Sequence, residues 1–394
     1  MSVKYIQNKQ ELGIDYDWNY IKREVNKVGI PSWVYNPTDL PLNTHKYFIN
    51  MSERSAGKTT NWLILGMVMF QLYGTVIQYI RQTSEMIAPK NMDIFNTILE
   101  YDYISKITNN EYNNVYYKSR RYYFSHVDEV GNVDKVSNDY FMYCASIDKG
   151  QDLKSSYNAP KGDLIIFDEF VSKIYYPNEF VDFCDLVKTI IRDRQSPIVV
   201  MLANTIDRHN QYFNELEIYD DVQQLKQGEH KSIITDRGTR IYIELLGIKE
   251  ERKKKLSIVN KLFFGFKNPQ LSSITGEDWA IKNYQHIPND NKEVHNISSK
   301  IYIYHNSKYI RLDIVTHEVL GVCLYVHWAT RTYPDSIILT CEDRLDNRYI
   351  FKFGNNTLNQ FLNKMLKEKR IYFATNDVGS FFDNYVRYCS KLQY

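Results

Sequence analysis

The stretch Ser52-Glu53-Arg54-Ser55-Ala56-Gly57-Lys58-Thr59-Thr60 decides the fold of this chain. An apolar run at 47–49 precedes it and a second at 62–65 follows it, which predicts a strand, a loop and a helix. A loop that ends in Gly-Lys-Thr at the start of a helix is typical of phosphate binding, because its backbone N–H groups and the positive helix end face the anion. The full pattern, G-x-x-x-x-G-K-[ST], has glycine where this chain has Ser52.

This loop predicts a site for ATP and Mg²⁺. We expect Lys58 to reach the outer phosphates and Thr59 to hold the metal. The residues assigned to the nucleotide are Ser52, Arg54, Ser55, Ala56, Gly57, Lys58, Thr59 and Thr60.

Two stretches anchor the prediction of the fold, and the phosphate loop is the first. The second anchor is Asp163-Leu164-Ile165-Ile166-Phe167-Asp168-Glu169. Its four apolar residues predict a buried parallel strand, whose carboxyl end delivers two carboxylates to the edge where open α/β sheets bind ligands. Asp168 suits the Mg²⁺ shell, and Glu169 suits the base that activates water for attack on the γ-phosphate.

A third strand, 197–202, ends in Ala203-Asn204-Thr205, and Asn204 is predicted to sense the γ-phosphate and orient water. The helix predicted before it ends near Arg192 and Arg194, which could reach a neighbouring subunit's nucleotide as arginine fingers. Lys149 or Lys154, before the second anchor, and Arg54, acting within its own subunit, are alternative donors.

Composition bounds the class of protein. The chain has 394 residues with a net charge of +2, so contact with nucleic acid would have to be local rather than driven by overall charge. Its five cysteines contain no C-x-x-C pair, so neither zinc nor a disulfide framework is indicated and a reducing cytoplasm fits. The N-terminus lacks a signal-peptide core, and no apolar run is long enough to span a membrane.

Three regions are predicted along the chain. Residues 1–248 form an ATP-binding α/β domain with a β insertion around 112–146 that carries basic side chains. Residues 249–295 form a linker subdomain, beginning with a charge run at 249–255. Residues 296–394 read as several strands followed by helices, a small α+β domain.

With these motifs in place, the chain resembles the DNA-packaging ATPases of tailed bacteriophages, and within them the encapsidation proteins of small short-tailed phages of the picovirus type. The stretch 52–60 resembles the terminase phosphate loop, in which arginine often stands where Arg54 does here. Tyr79-Ile80-Arg81-Gln82-Thr83 resembles that family's second strand. Asp168-Glu169 matches its Walker B pair, and Ala203-Asn204-Thr205 resembles its coupling motif.

The resemblance implies a P-loop NTPase fold of the additional-strand (ASCE) type with a mainly parallel sheet, followed by a domain like a degenerate RNase H-like nuclease. It also implies an ATP-hydrolysing motor that moves double-stranded viral DNA into a preformed capsid. The implied partners are double-stranded DNA, the capsid portal (connector) and further copies in a homo-oligomeric ring, a pentamer; a scaffold RNA stays open. The implied location is the host cytoplasm, with transient binding to the procapsid and absence from the mature virion.

Two alternative functions remain open at this stage. The first is a terminase large subunit with an active nuclease, which needs carboxylates clustered on two metals. The candidates Asp313, Glu318, Glu342, Asp343 and Asp383 show no spacing recognisable as that cluster, although Glu342-Asp343 at a strand end is the best pair. The second is a nucleotide-gated nucleic-acid-binding adaptor without motor activity.

Overall fold

The computed structural model describes two compact units, each built around one sheet. Residues 210–219 belong to the second unit. The described residues are 16–32, 34–52, 56–89, 93–149, 162–171, 178–204, 210–247, 258, 262, 284–287, 294–318, 320–342, 345–351 and 357–391. Most of the linker predicted at 249–295 lies outside these ranges, and the domain bounds stay predictions.

The described strands of the first unit form a nine-stranded sheet in the order β3-β4-β5-β2-β6-β7-β1-β9-β8. The strands are β1 (Tyr47–Met51), β2 (Ile77–Arg81), β3 (Asn114–Lys118), β4 (Arg121–Val127), β5 (Val133–Ser146), β6 (Leu164–Asp168), β7 (Ile198–Ala203), β8 (His230–Ile234) and β9 (Arg240–Leu245). Every pair from β5 through β9 in this order is parallel, and the outer pairs are antiparallel.

The position of β7 confirms the predicted fold class. It lies between β1, which leads into the phosphate loop, and β6, which ends in the paired carboxylates. The three strands are parallel, so their carboxyl ends meet at one edge of the sheet. Met51 pairs there with Ala203, and Leu202 pairs with Asp168. A mainly parallel α/β sheet with an additional strand between these two anchors is the architecture expected from the sequence.

The helix after the phosphate loop is buried on nearly all sides. The helices of this unit are α1 (Trp18–Lys27), α2 (Lys58–Tyr73), α3 (Asn96–Glu100), α4 (Tyr103–Ile107) and α5 (Glu179–Ile191), with α7 (Tyr219–Gln224) following α6 (Gln211–Glu215) of the second unit. On α2, a methyl group at Gly66 would come within 2.5 Å of Ile77 on β2. Glycine there lets α2 pack closely against the sheet, which fixes the start of the helix at the carboxyl edge.

The second unit has a six-stranded sheet among its described residues, in the order β14-β13-β10-β11-β12-β15. Its elements are β10 (Val294–His305), β11 (Lys308–His317), β12 (Gly321–Ala329), β13 (Ile337–Thr340), β14 (Tyr349–Phe351), α8 (Thr357–Lys367), β15 (Ile371–Phe373) and α9 (Asn376–Lys391). Side chains from α8 and α9, including Leu362 and Phe381, share a core with Ile303 and Leu312 of the sheet. The predicted α+β character is therefore present, whereas descent from a nuclease stays a prediction.

A disulfide joins Cys341, just after β13, to Cys389 on α9. The sequence-based expectation of no disulfide was wrong for this pair. The two cysteines are separated by 48 residues and meet only because α9 packs on the sheet, so their spacing carries no signal. Among the described residues, no helix is long and apolar enough to cross a membrane.

Candidate nucleotide and hydrolysis site

The phosphate loop enters α2 through a glycine that no other residue could replace without strain. Gly57 precedes α2 with φ of +78°, in the left-handed region. A methyl group there would come within 2.5 Å of a Val34 methyl from the segment before β1. The loop therefore closes tightly against the preceding segment. Arg54 and Ser55 lie outside the described residues, so their predicted roles stay predictions.

Ser52, which replaces the first glycine of the usual motif, is fully buried and accepts a hydrogen bond from Lys58 Nζ. The same ammonium donates to Asn204 Oδ1 at 3.2 Å. Burial lowers the pKa of Lys58 from its usual range to about 8, while Asp168 and Glu169 act in the opposite direction. The departure from the motif thus supplies a hydroxyl that holds the lysine at the loop.

Thr59 and Asp168 meet at the carboxyl edge of the sheet. The Thr59 hydroxyl lies 3.2 and 3.1 Å from the two Asp168 carboxylate oxygens. Tyr79 donates its hydroxyl hydrogen to Asp168 Oδ2 at 2.7 Å, and burial raises the pKa of that carboxyl while Arg81 opposes the rise. A hydroxyl and a carboxylate are oxygen ligands of the kind Mg²⁺ prefers, so this pair fits the predicted metal position.

Glu169 follows in an unusual backbone conformation, with φ of +55°. A non-glycine residue in the left-handed region carries a cost of about 1 kcal/mol or more, and such residues concentrate at functional sites. Its carboxylate accepts hydrogen bonds from Arg81 at 2.5 Å and from Asn204 Nδ2 at 3.3 Å. Asn204 therefore connects the phosphate-loop lysine to the predicted base.

The sequence analysis did not assign Arg81 to the candidate site, but the structure places it there. It ends β2, pairs with Glu169 at 2.5 Å and lies 3.8 Å from Asp168, with 14% of its side chain exposed. It also donates to the Tyr79 hydroxyl at 3.2 Å. The sequence could have indicated this position, because Arg81 ends the strand β2. Neighbouring parallel strands such as β2 and β6 end at the same edge of the sheet.

The two candidate trans-acting arginines do not join this cluster. Arg194 lies 3.3 Å from Asp163, which precedes β6 and is therefore at the opposite edge of the sheet from Asp168. Its guanidinium also donates to the carbonyls of Gly162 and Ile190 at 3.1 and 2.6 Å. Arg192 is exposed just after α5, with φ of +52° and ψ of −117°.

The remaining residues that the sequence analysis assigned to the site are described by their positions alone. Ala56, just before Gly57, and Thr60, in the first turn of α2, are both half-buried. Lys149 is exposed at the end of the β insertion, and Lys154 and Thr205 lie outside the described residues.

No protein-family model and no curated protein matches this chain by sequence. Solved structures do match. The Phi-28 gp11 DNA packaging motor is 16% identical with a TM-score of 0.51, and the match covers 92% of this chain and all of that one. The bacteriophage Phi-29 viral genome packaging motor assembly contains a chain that is 17% identical with a TM-score of 0.54, covering 90% of this chain and 99% of that one. At this identity the likeness shows a shared fold over nearly the whole length.

Proposed function

We propose that this protein is an ATP-hydrolysing motor that translocates double-stranded viral DNA into a preformed capsid. The observation that carries the proposal is the meeting of Lys58, Thr59, Asp168, Glu169 and Asn204 at one edge of the sheet. The fold shared with two phage packaging motors supports DNA as the cargo.

The residues divide the hydrolytic work among them. Lys58 would bind the outer phosphates, and its ammonium is already aimed by Ser52 and Asn204. Thr59 and Asp168 would hold Mg²⁺, which supplies charge neutralisation on the phosphates. Glu169 would take a proton from the attacking water, and Asn204 would orient the Glu169 carboxylate through its amide.

We further propose the partners and setting that the resemblance implies. They are the capsid portal and a homo-oligomeric ring, a pentamer, acting in the host cytoplasm while bound to the procapsid. A ring supplies a neighbouring subunit for an arginine in trans and a continuous grip on DNA. Absence from the mature virion and a scaffold RNA as a further partner belong to the same proposal.

An active nuclease receives no support from the second unit. Glu342 accepts from His305 at 2.8 Å and from the Asn306 backbone N–H at 2.6 Å, so its carboxylate stabilises the β10–β11 turn. Asp313 pairs with Arg311 and His327. Within the described residues, which exclude Asp343, no group of three His, Cys, Asp or Glu side chains could hold a metal.

The test is ATP turnover by the full chain, alone, with double-stranded DNA, and with DNA plus empty capsids. We expect turnover to require Mg²⁺, to rise with DNA and to accompany protection of the DNA from added nuclease inside capsids. Turnover that ignores both DNA and capsids would favour another P-loop function. Metal-dependent cleavage of plasmid, lost in Glu342→Ala, would favour the terminase alternative.

A further inference from the structure

The β insertion of the first unit has two faces of different chemistry. One face packs into the core through Tyr122, Phe124 and Phe141, which are at most 5% exposed. The strand alternation places a different set on the other face. On β3 and β4 this set contains Tyr116, Tyr123, Lys118 and Arg121. Tyr140 and Tyr143 of β5 border it, with Tyr140 half-buried against the core and Tyr143 only 7% exposed.

These side chains form two adjacent rows across three antiparallel strands. Tyr116 is the cross-strand partner of Tyr123, and Tyr123 is the partner of Tyr140, which makes a tyrosine row. Lys118 is the partner of Arg121, which makes a cation row beside it. Neighbouring strands lie about 4.8 Å apart, and positions two residues apart on one strand lie about 7 Å apart. The face therefore presents aromatic rings in one line and positive charges in the next.

The two rows contact each other, and their exposed members are Tyr116 and Lys118, whereas Tyr123 and Tyr140 are half-buried. The Arg121 guanidinium lies 5.1 Å from the centre of the Tyr140 ring and 5.9 Å from that of Tyr143. The rings of Tyr123 and Tyr140 are 6.1 Å apart. Tyr116 is 39% exposed, Lys118 is exposed, and Arg121 is half-buried.

Within the described part of the chain, the cations of this face have no carboxylate partner. Elsewhere in the insertion, Lys135 pairs with Glu111. Among the described residues, no ion pair joins Lys118, Arg120 or Arg121 to a carboxylate, and Arg120 instead hydrogen-bonds the Tyr143 side chain. A face with unpaired cations beside exposed rings is complementary to a polyanion that carries planar groups.

We infer that this face of β3, β4 and β5 binds single-stranded nucleic acid, with bases stacked on the tyrosine row and phosphates on the cation row. Sheets that present aromatic rings stack two or three unpaired bases, and each ring accepts any base. A duplex hides its base faces, so it would meet the cations but leave the rings unused. The inference is independent of ATP hydrolysis and of duplex translocation.

The test uses the full chain without nucleotide, and labelled oligothymidylate, oligouridylate and a duplex of the same length, by fluorescence anisotropy at several salt concentrations. The variant is Tyr116→Ala with Lys118→Gln, two changes at accessible positions. The matched control is Tyr101→Ala with Lys106→Gln, since Tyr101 is 52% exposed and lies outside both rows.

We expect the variant to bind the single strands about tenfold or more weakly, as loss of one stacked base and one phosphate contact predicts. Its loss of duplex affinity should be smaller and limited to the one phosphate contact, and its ATP turnover and melting temperature should match those of the control. The slope of affinity against salt should fall by about 0.7 for the lost phosphate contact. Binding to a DNA strand, an RNA strand or both would support the inference.

Three results would overturn it. They are a native chain that binds no single strand, a folded variant with unchanged single-strand affinity, and equal losses for the duplex and single strands. The last result would mean that the face contacts phosphates alone. If the double variant does not fold, Tyr116→Ala by itself carries the same comparison, because it removes one exposed ring and leaves the cation row intact.

Discussion

The guanidinium of Arg81 lies 2.5 Å from the carboxylate of Glu169, the residue that we propose activates water. A carboxylate oxygen that accepts a hydrogen bond from a guanidinium is occupied and is less available to a water molecule. In the proposed mechanism this contact holds Glu169 away from the attacking water, and we expect hydrolysis to require the pair to open. Arg81 also faces Asp168, so an arriving nucleotide and its metal would compete for the same charges.

Replacing Arg81 should uncouple hydrolysis from DNA. We expect Arg81→Ala to raise ATP turnover in the absence of DNA several-fold and to reduce the stimulation by DNA, because Glu169 no longer has a cationic partner. Arg81→Lys, which keeps the charge, is the matched control. The measurement is the ratio of ATP turnover with DNA to turnover without DNA. If Arg81→Ala has the same ratio as the native protein, the contact between Arg81 and Glu169 has no regulatory effect.

The two carboxylates should fail in different ways. Glu169→Gln should keep ATP binding and lose turnover by about 100-fold or more, since an amide cannot accept the proton. Asp168→Asn should also weaken Mg²⁺-dependent binding, because it loses a charged metal ligand beside Thr59. Binding of a fluorescent ATP analogue and steady-state turnover separate the two steps. Normal hydrolysis by Glu169→Gln would place the base elsewhere.

Nucleotide binding should take up a proton in alkaline solution. Burial lowers the pKa of Lys58 to about 8, so above that pH the free protein holds a neutral lysine. Phosphate groups favour the charged form, and binding at a pH of about 9 should therefore take up close to one proton. Calorimetry in two buffers with different ionisation enthalpies measures this uptake. Its absence at that pH would mean that Lys58 is already charged in the free protein.

Glu244, on β9, should make the first unit less stable as the pH rises. Burial raises the pKa of its carboxyl from 4.5 to about 7, and Asp39 adds to the effect. A raised carboxyl pKa gives stability that is complete below about pH 4.5 and is lost as the pH rises through 7. Glu244→Gln should thus raise the free energy of unfolding by about 1–2 kcal/mol at pH 8 and leave it nearly unchanged at pH 5.

The control for that experiment is Glu100→Gln, at an exposed position where no such dependence is expected. Urea denaturation of both variants at the two pH values provides the comparison. Equal effects of Glu244→Gln at pH 5 and pH 8 would mean that the Glu244 carboxyl titrates normally.

Arg192 and Arg194 should separate into one functional and one structural residue. Arg194 is bound to Asp163 and to two carbonyls, so Arg194→Ala should lower stability by about 1–3 kcal/mol. Arg192 has a backbone conformation that glycine adopts freely, so Arg192→Gly should raise the melting temperature while lowering turnover.

Subunit mixing tests whether Arg192 acts across an interface. In mixtures of Arg192→Gly with Glu169→Gln, some sites would combine an intact Glu169 with an intact neighbouring Arg192, and turnover should partly recover. The reference measurements are the turnover of mixtures of each single variant with native protein. No recovery at any ratio would assign the role to a residue of the same subunit, with Arg54 as the candidate.

The sequence by itself determined the elements and the main residues of the candidate site. Local patterns suffice for this, because a Gly-Lys-Thr loop between two apolar runs and an apolar run ending in Asp-Glu each specify a strand end within a few residues. The strands predicted before the phosphate loop, before Asp168-Glu169 and before Ala203-Asn204-Thr205 are present as β1, β6 and β7.

Only the tertiary structure decided which side chains of different elements contact one another. The contact between Arg81 and Glu169 joins residues that are far apart in the chain, and it exists because β2 and β6 are neighbours that end at one edge. The pairing of Arg194 with Asp163 at the other edge, the Cys341–Cys389 bond and the row of tyrosines on the insertion arise in the same way. Side-chain partners depend on which strands lie side by side, and periodicity along one segment holds no information on that choice.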